Sequence, residues 1–214
     1  GYGMTELSGN AVFLDAAAHA RAIDGEEHLL ASCGKPSPLV SIGLDSVGAD
    51  GTGEILVRGD QVIASYWNRP EANEAAYVDG WFRTGDIGRF DDEGYLYVVD
   101  RKKDIIVSGG ENVASLEVED VMSEHPAIGG VAVVGVPDER WGERVVAVAV
   151  ARPGRELVAG EVLDWARGRL AGYKRPKQLF VVDALPVNAS GKVLKRDVRE
   201  LAATLAANVD PSGG

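Results

Sequence analysis

Cysteine is almost absent: Cys33 stands alone among 214 residues, so no disulfide can close within the chain. That fits a reducing compartment, and the expected location is the cytoplasm. Histidine is nearly as scarce. His19, His28 and His125 are scattered without metal-ligand spacing, and no metal is assigned to them. No apolar run approaches the ~20 residues that a membrane-spanning helix needs. No basic stretch leading into an apolar one marks a signal segment at the start. Positive charge is in deficit, with 22 Lys and Arg against 33 Asp and Glu, a net charge of −11. A general nucleic-acid binder would show the opposite balance. The basic residues that do occur gather at 101–103, at 174–177 and at 192–196. Local positive charge on an acidic chain suits a small anionic ligand better than a polymer.

The rest of the composition, 45% hydrophobic and 26% charged, is that of a soluble globular protein with room for one domain or two small ones. Residues 1–100 read as short strands between turns, clearest at 54–58 and 95–99, with Asp91-Asp92-Glu93-Gly94 as a turn. Such a meander rarely closes a core by itself. After Asp104 the pattern becomes mixed. Ser115 is predicted to cap a helix running to about Glu124, with Leu116, Val118 and Val121 as its apolar set. Strands are expected at 131–134, 145–150 and 178–182, a helix over 161–170, and a closing helix over 193–207. These elements predict an α+β domain of about 100 residues. Residues 101–104 join the two regions, and 208–214 read as a disordered tail. No internal repeat is present.

The join carries the most informative stretch, Arg101-Lys102-Lys103-Asp104-Ile105-Ile106-Val107-Ser108-Gly109-Gly110-Glu111-Asn112. It reads as a short strand followed by a glycine turn, and a surface hairpin would look the same. Three further stretches narrow the reading. They are Tyr2-Gly3-Met4-Thr5-Glu6, Trp81-Phe82-Arg83-Thr84-Gly85-Asp86, and Pro186-Val187-Asn188-Ala189-Ser190-Gly191-Lys192. In that order the four resemble the later motifs of the AMP-forming acyl-CoA synthetases, the adenylating superfamily that includes luciferase-like enzymes. The resemblance covers nearly the whole chain. It implies that residues 1–100 end a large N-terminal domain with a β-barrel subdomain, and that 105–207 form a small mobile C-terminal domain.

The chemistry implied is activation of a carboxylic acid, fatty or aromatic, by ATP to an acyl-adenylate, followed by thioester formation with CoA. Bringing a carboxylate against a polyphosphate needs cations and backbone donors. By the resemblance, Lys192 reaches the carboxylate and α-phosphate, Thr5 bonds a phosphate, and Glu6 holds Mg²⁺ directly or through water. Tyr2, Gly3 and Met4 lie near the adenine and acyl group. Asp86 takes the ribose hydroxyls, with Arg101 as a second contact to the nucleotide. Lys103 matches the hinge about which the small domain swings between half-reactions. Ser108, Gly109 and Gly110 line the pantetheine channel, where a Cβ would obstruct a narrow passage. Trp141 and Tyr173 offer flat faces to the CoA adenine, and Arg175 and Lys177 offer charge to its phosphates. One departure stands out: many relatives have an aromatic and a proline where this chain has Ala114-Ser115.

Bland readings stand beside these roles. Asp86 would serve as a turn residue, Thr5-Glu6 as a helix cap, Trp141 as core, and 174–177 as a solvated basic loop. The family's glycine- and Ser/Thr-rich phosphate loop does not occur in these 214 residues. The chain is therefore expected to be one part of a ligase whose N-terminal domain is missing here, and to be inactive alone. Two alternatives stay open: an adenylating enzyme that loads a carrier protein, and a non-catalytic module binding CoA or a nucleotide.

Overall fold

A computed structural model describes residues 1–208. They form two compact units that divide between Lys103 and Asp104. Of the predicted tail, only Asn208 is described, as the end of the last helix, and the remainder lies outside the described residues. No described helix is long and apolar enough to cross a membrane.

The first unit is built on antiparallel strands. β1 (Tyr2–Met4), β2 (Gly9–Phe13) and β3 (Lys35–Pro36) make a small sheet. A larger sheet joins β4 (Val40–Asp45), β5 (Gly53–Gly59), β6 (Tyr77–Val78), β7 (Trp81–Phe90) and β8 (Leu96–Arg101), with β7 paired to β5, β6 and β8. Two helices depart from the expectation of strands alone. α1 (Ala16–Ile23) is alanine-rich, the composition with the least conformational cost in a helix, and Asp15 caps it by accepting from the Ala18 N–H at 2.8 Å. α2 (Pro70–Ala76) starts on a proline, whose missing N–H costs nothing in a first turn. The expectation of a coreless meander also fails. Leu7, Val12, Ile55, Val57, Phe82 and Leu96 are almost wholly buried together, because β1, β2 and the larger sheet bury apolar residues against one another.

The second unit is a mixed sheet with helices on both faces. β9 (Ile106–Ser108) and β10 (Glu111–Val113) form a hairpin. β11 (Ile128–Asp138) and β12 (Gly142–Ala151) form a long antiparallel pair, and β13 (Gln178–Val181) adds parallel to β12. Val145, Ala147 and Ala149 of β12 pack beneath α3 (Ser115–Ser123) and α4 (Ala159–Arg167). Val146 and Val148 pack on the opposite face, against Val198 and Ala202 of α5 (Lys195–Asn208). Burial on both faces is why the β12 sequence is a continuous apolar run without alternation. The α3 boundary differs from the predicted cap. Ala114 occupies the N-cap and Ser115 is the first helical residue, fully buried, its Oγ accepting from the Lys195 ammonium.

Candidate functional site

A cavity of about 750 Å³ opens in the first unit and brings together Gly3, Thr5, Glu6, Asp86, Arg101 and Lys103. Three distant segments meet there for identifiable reasons. After β1 the chain makes a 3₁₀ turn, Thr5–Leu7, and reverses through Ser8, whose φ is 55°. Gly3 has to be glycine, because a Cβ would fall 2.2 Å from the Gly9 carbonyl oxygen on β2. The second segment is a bulge in β7. Glu54 pairs with Ile87 and Leu56 with Arg83, so Thr84, Gly85 and Asp86 stand opposite Ile55 alone. Gly85 takes φ +72°, which a residue with a Cβ rarely adopts. A bulge of this kind re-aims a side chain out of the sheet, and here it carries Asp86. Arg101, the third contribution, sits opposite Asp86 on β8.

Asp86 is 7% exposed and held from two sides. Tyr2 Oη donates to Oδ2 at 2.8 Å, and Arg101 Nε lies 3.5 Å from Oδ1. Its own N–H donates to Thr84 Oγ1 at 3.1 Å, and that hydroxyl donates to the Ile55 carbonyl at 2.8 Å. Burial, reinforced by the Asp86 charge, pushes the Tyr2 phenol above the usual tyrosine range, so it remains a donor. Tyr2 therefore stands behind Asp86, itself buried. Beside it, Glu6 Oε1 accepts from Tyr66 Oη at 3.0 Å. Lys102 is tied to Glu54 at 2.9 Å. Lys103 is exposed and is the last residue of the unit.

In the second unit, Ser108 is buried, and Gly109 and Gly110 make the β9–β10 turn with φ of +62° and +87°. The Gly109 N–H donates to the Trp141 carbonyl at 2.8 Å, and a Cβ on Gly109 would meet the Trp141 ring at 2.9 Å. Trp141 is 37% exposed, with the Arg140 guanidinium 4.8 Å and the Lys177 ammonium 5.6 Å from its ring centre. Gly109, Trp141 and Lys177 are thus one cluster. Tyr173 is exposed. Arg175 directs its Nε inward to the Leu170 carbonyl at 2.9 Å, closing the chain after α4. Lys192 lies in a separate turn. Asn188 Oδ1 accepts from Ser190 N, Ser190 Oγ and Lys192 N at 3.0, 2.8 and 2.9 Å, and Gly191 takes φ +82°. The Lys192 ammonium has no hydrogen bond or ion pair among the described residues.

Residues 117–192 match the model of the AMP-binding enzyme C-terminal domain. An indoleacetate–CoA ligase of Aromatoleum aromaticum is 47% identical over 210 residues, covering 95% of this chain and 41% of that protein. A long-chain-fatty-acid–CoA ligase of Mycobacterium tuberculosis is 49% identical over 150 residues, covering 70% of this chain and 30% of its own length. Among solved structures, the o-succinylbenzoate CoA synthetase of Bacillus subtilis in complex with its acyl-adenylate intermediate matches with a TM-score of 0.83. It is 40% identical, over 92% of this chain and 40% of that one. The chain belongs to the AMP-forming acyl-CoA synthetases. It spans about two fifths of the length of the indoleacetate–CoA ligase.

The sequence reading missed the residues that hold this arrangement in place. Thr84 and Tyr66 fix Asp86 and Glu6, and Asn188 closes the Lys192 turn. The Asn-x-x-Gly spacing of the turn was a usable signal, since Asn often bonds backbone two residues on. Partners as distant as Tyr66 and Glu6 leave no local signal. The basic clusters also need correction, because carboxylates already hold several of their members. Lys174 pairs with Glu117 at 2.6 Å and Lys195 with Glu119 at 2.9 Å.

Proposed function

We propose that this chain is the part of an acid–CoA ligase that holds the nucleotide, supplies the adenylation lysine and meets CoA. On this reading the whole enzyme couples a fatty or aromatic carboxylic acid to AMP with loss of pyrophosphate. It then transfers the acyl group to the CoA thiol with loss of AMP. The carrying observation is Asp86, presented on a bulge and steadied by Tyr2 and Arg101 at the cavity. A fixed carboxylate suits two vicinal hydroxyls, because it can accept from both. Thr5 takes a phosphate oxygen. Glu6 has one oxygen bound to Tyr66 and the other without a partner among the described residues, which fits contact with a phosphate-bound Mg²⁺. That ion, when bound, supplies charge neutralisation between phosphates. The B. subtilis synthetase has been solved with ATP and a magnesium ion.

The ammonium of Lys192, unpaired among the described residues and on a turn stiffened by Asn188, suits a cation that must meet developing negative charge at the acyl and α-phosphate oxygens. The first unit, on this reading, is the β-rich end of the large adenylating domain, and Lys103 is its pivot. Ser108, Gly109 and Gly110 border the pantetheine arm. Trp141 and Lys177, with Tyr173 and Arg175, take the CoA nucleotide. Calorimetric titration with CoA and with CoA lacking its 3′-phosphate tests the acceptor. Weaker binding without the phosphate, and in Lys177→Ala, is the expected result. Equal binding of both forms would overturn recognition of the 3′-phosphate, and binding of neither would overturn the assignment of a CoA grip to this chain and favour a carrier protein.

A further inference from the structure

The loop between β5 and α2 was assigned no role, yet it grips Glu6 twice. The Ile63 N–H donates to the Glu6 carbonyl at 2.8 Å, and Tyr66 Oη donates to the Glu6 carboxylate at 3.0 Å. The loop is itself braced. Asn73 on α2 accepts from the Tyr66 N–H at 2.6 Å and donates to the Tyr66 carbonyl at 3.0 Å, and the Tyr77 hydroxyl donates to the Ile63 carbonyl. The Tyr66 ring packs on the core of the unit beside Val62 and Tyr77. Few rotamers of Tyr66 are compatible with these contacts, so its hydroxyl has one direction to point.

From this we infer that Tyr66 is a positioning residue for the metal–triphosphate contact, holding Oε1 of Glu6 so that Oε2 alone faces the cavity. A free glutamate has three side-chain torsions, and its carboxylate can turn either oxygen, or both, toward a cation. One donor fixed on a packed ring removes that freedom before the ligand arrives. The inference rests on the nucleotide reading of the cavity and adds the residue that orients its metal-facing carboxylate.

Tyr66→Phe removes one oxygen and leaves the packing ring, so the fold is retained. NMR titrations of this chain with AMP, with ATP in EDTA, and with ATP in excess Mg²⁺ separate the two claims. In the parent chain Mg²⁺ should strengthen ATP binding, and AMP should bind without metal. In Tyr66→Phe the gain from Mg²⁺ should fall about tenfold to a hundredfold, the range for one hydrogen bond to a charged group. AMP affinity should be unchanged. Glu6→Gln should lose the same gain, and Tyr66→Phe added to Glu6→Gln should change nothing more. An undiminished Mg²⁺ gain in Tyr66→Phe, with AMP still bound, would overturn the role of Tyr66 and leave the nucleotide site standing. Failure of the parent chain to bind AMP at all would overturn both.

Discussion

Asp86 is a side chain on which stability and the proposed nucleotide binding both bear. Tyr2 is 8% exposed and its hydroxyl depends on Asp86 as acceptor. Asp86→Ala should therefore act twice. It should weaken AMP binding about tenfold or more, and cost about 1–3 kcal/mol by leaving a buried hydroxyl unpaired. Tyr2→Phe should cost about 1 kcal/mol and weaken AMP only a few-fold, since Arg101 still steadies the carboxylate. Chemical denaturation and AMP titration of both variants check the pair. The raised Tyr2 value also gives a pH dependence. Below the ordinary tyrosine value of 10.0 both folded and unfolded chains keep the proton. Above it the unfolded chain releases the proton first, so stability falls as pH rises from there toward the folded value. Urea midpoints taken between about pH 9 and about pH 11 should fall more steeply for the parent than for Tyr2→Phe. Asp86 was legible as a candidate because its motif is contiguous. The hydroxyl behind it is 84 residues away in sequence, and no local pattern encodes such a pairing.

At the scale of elements, the β9–β10 hairpin and the Lys192 turn are built differently. The hairpin is held by a steric requirement. Gly109 has φ +62° and the Trp141 ring 2.9 Å from where a Cβ would lie, whereas Gly110, at φ +87°, has open space there. Gly109→Ala should cost about 1–3 kcal/mol and alter Trp141 fluorescence, while Gly110→Ala should show the backbone strain alone, about 1 kcal/mol. Equal losses would mean that the Trp141 contact is unimportant. The Lys192 turn leads instead into α5, whose first residue, Lys195, is paired with Glu119 on α3, both side chains being largely buried. Lys195→Met should destabilise by about 3 kcal/mol by removing the cation that faces the Glu119 carboxylate, and Lys195→Met with Glu119→Gln should recover much of it. Thermal denaturation of the four chains closes that cycle. The sequence placed helices and strands of this region within a few residues but misjudged the start of α3. Ser115 has the chemistry of a cap, yet its hydroxyl is taken by Lys195 from a helix 80 residues on.

Across the whole molecule, the two units each own a core. The second buries Val118, Met122, Val133, Val145 and Val162 on one side of its sheet and Val134, Val146, Val148 and Val198 on the other. Residues 104–208 expressed alone should fold and melt in one cooperative transition, with native-like amide dispersion. A disordered spectrum would show that this core is insufficient. The 214-residue chain, lacking a glycine- and Ser/Thr-rich phosphate loop, should give no ATP–pyrophosphate exchange with any carboxylic acid. The sequence by itself determined the family, the change from β-rich to mixed organisation near residue 104, and the glycine and charged residues of four contiguous motifs. Those are local signals, carried by neighbours along the chain. Tertiary structure decided which cations remain available for a ligand: the Lys192 ammonium has no partner among the described residues, while Lys102, Lys174 and Lys195 are held by Glu54, Glu117 and Glu119. It also decided that Tyr2 and Tyr66 orient Asp86 and Glu6. The reason is physical: a charge or hydroxyl is committed by whatever partner folding brings within about 3 Å, and that partner is usually remote in sequence.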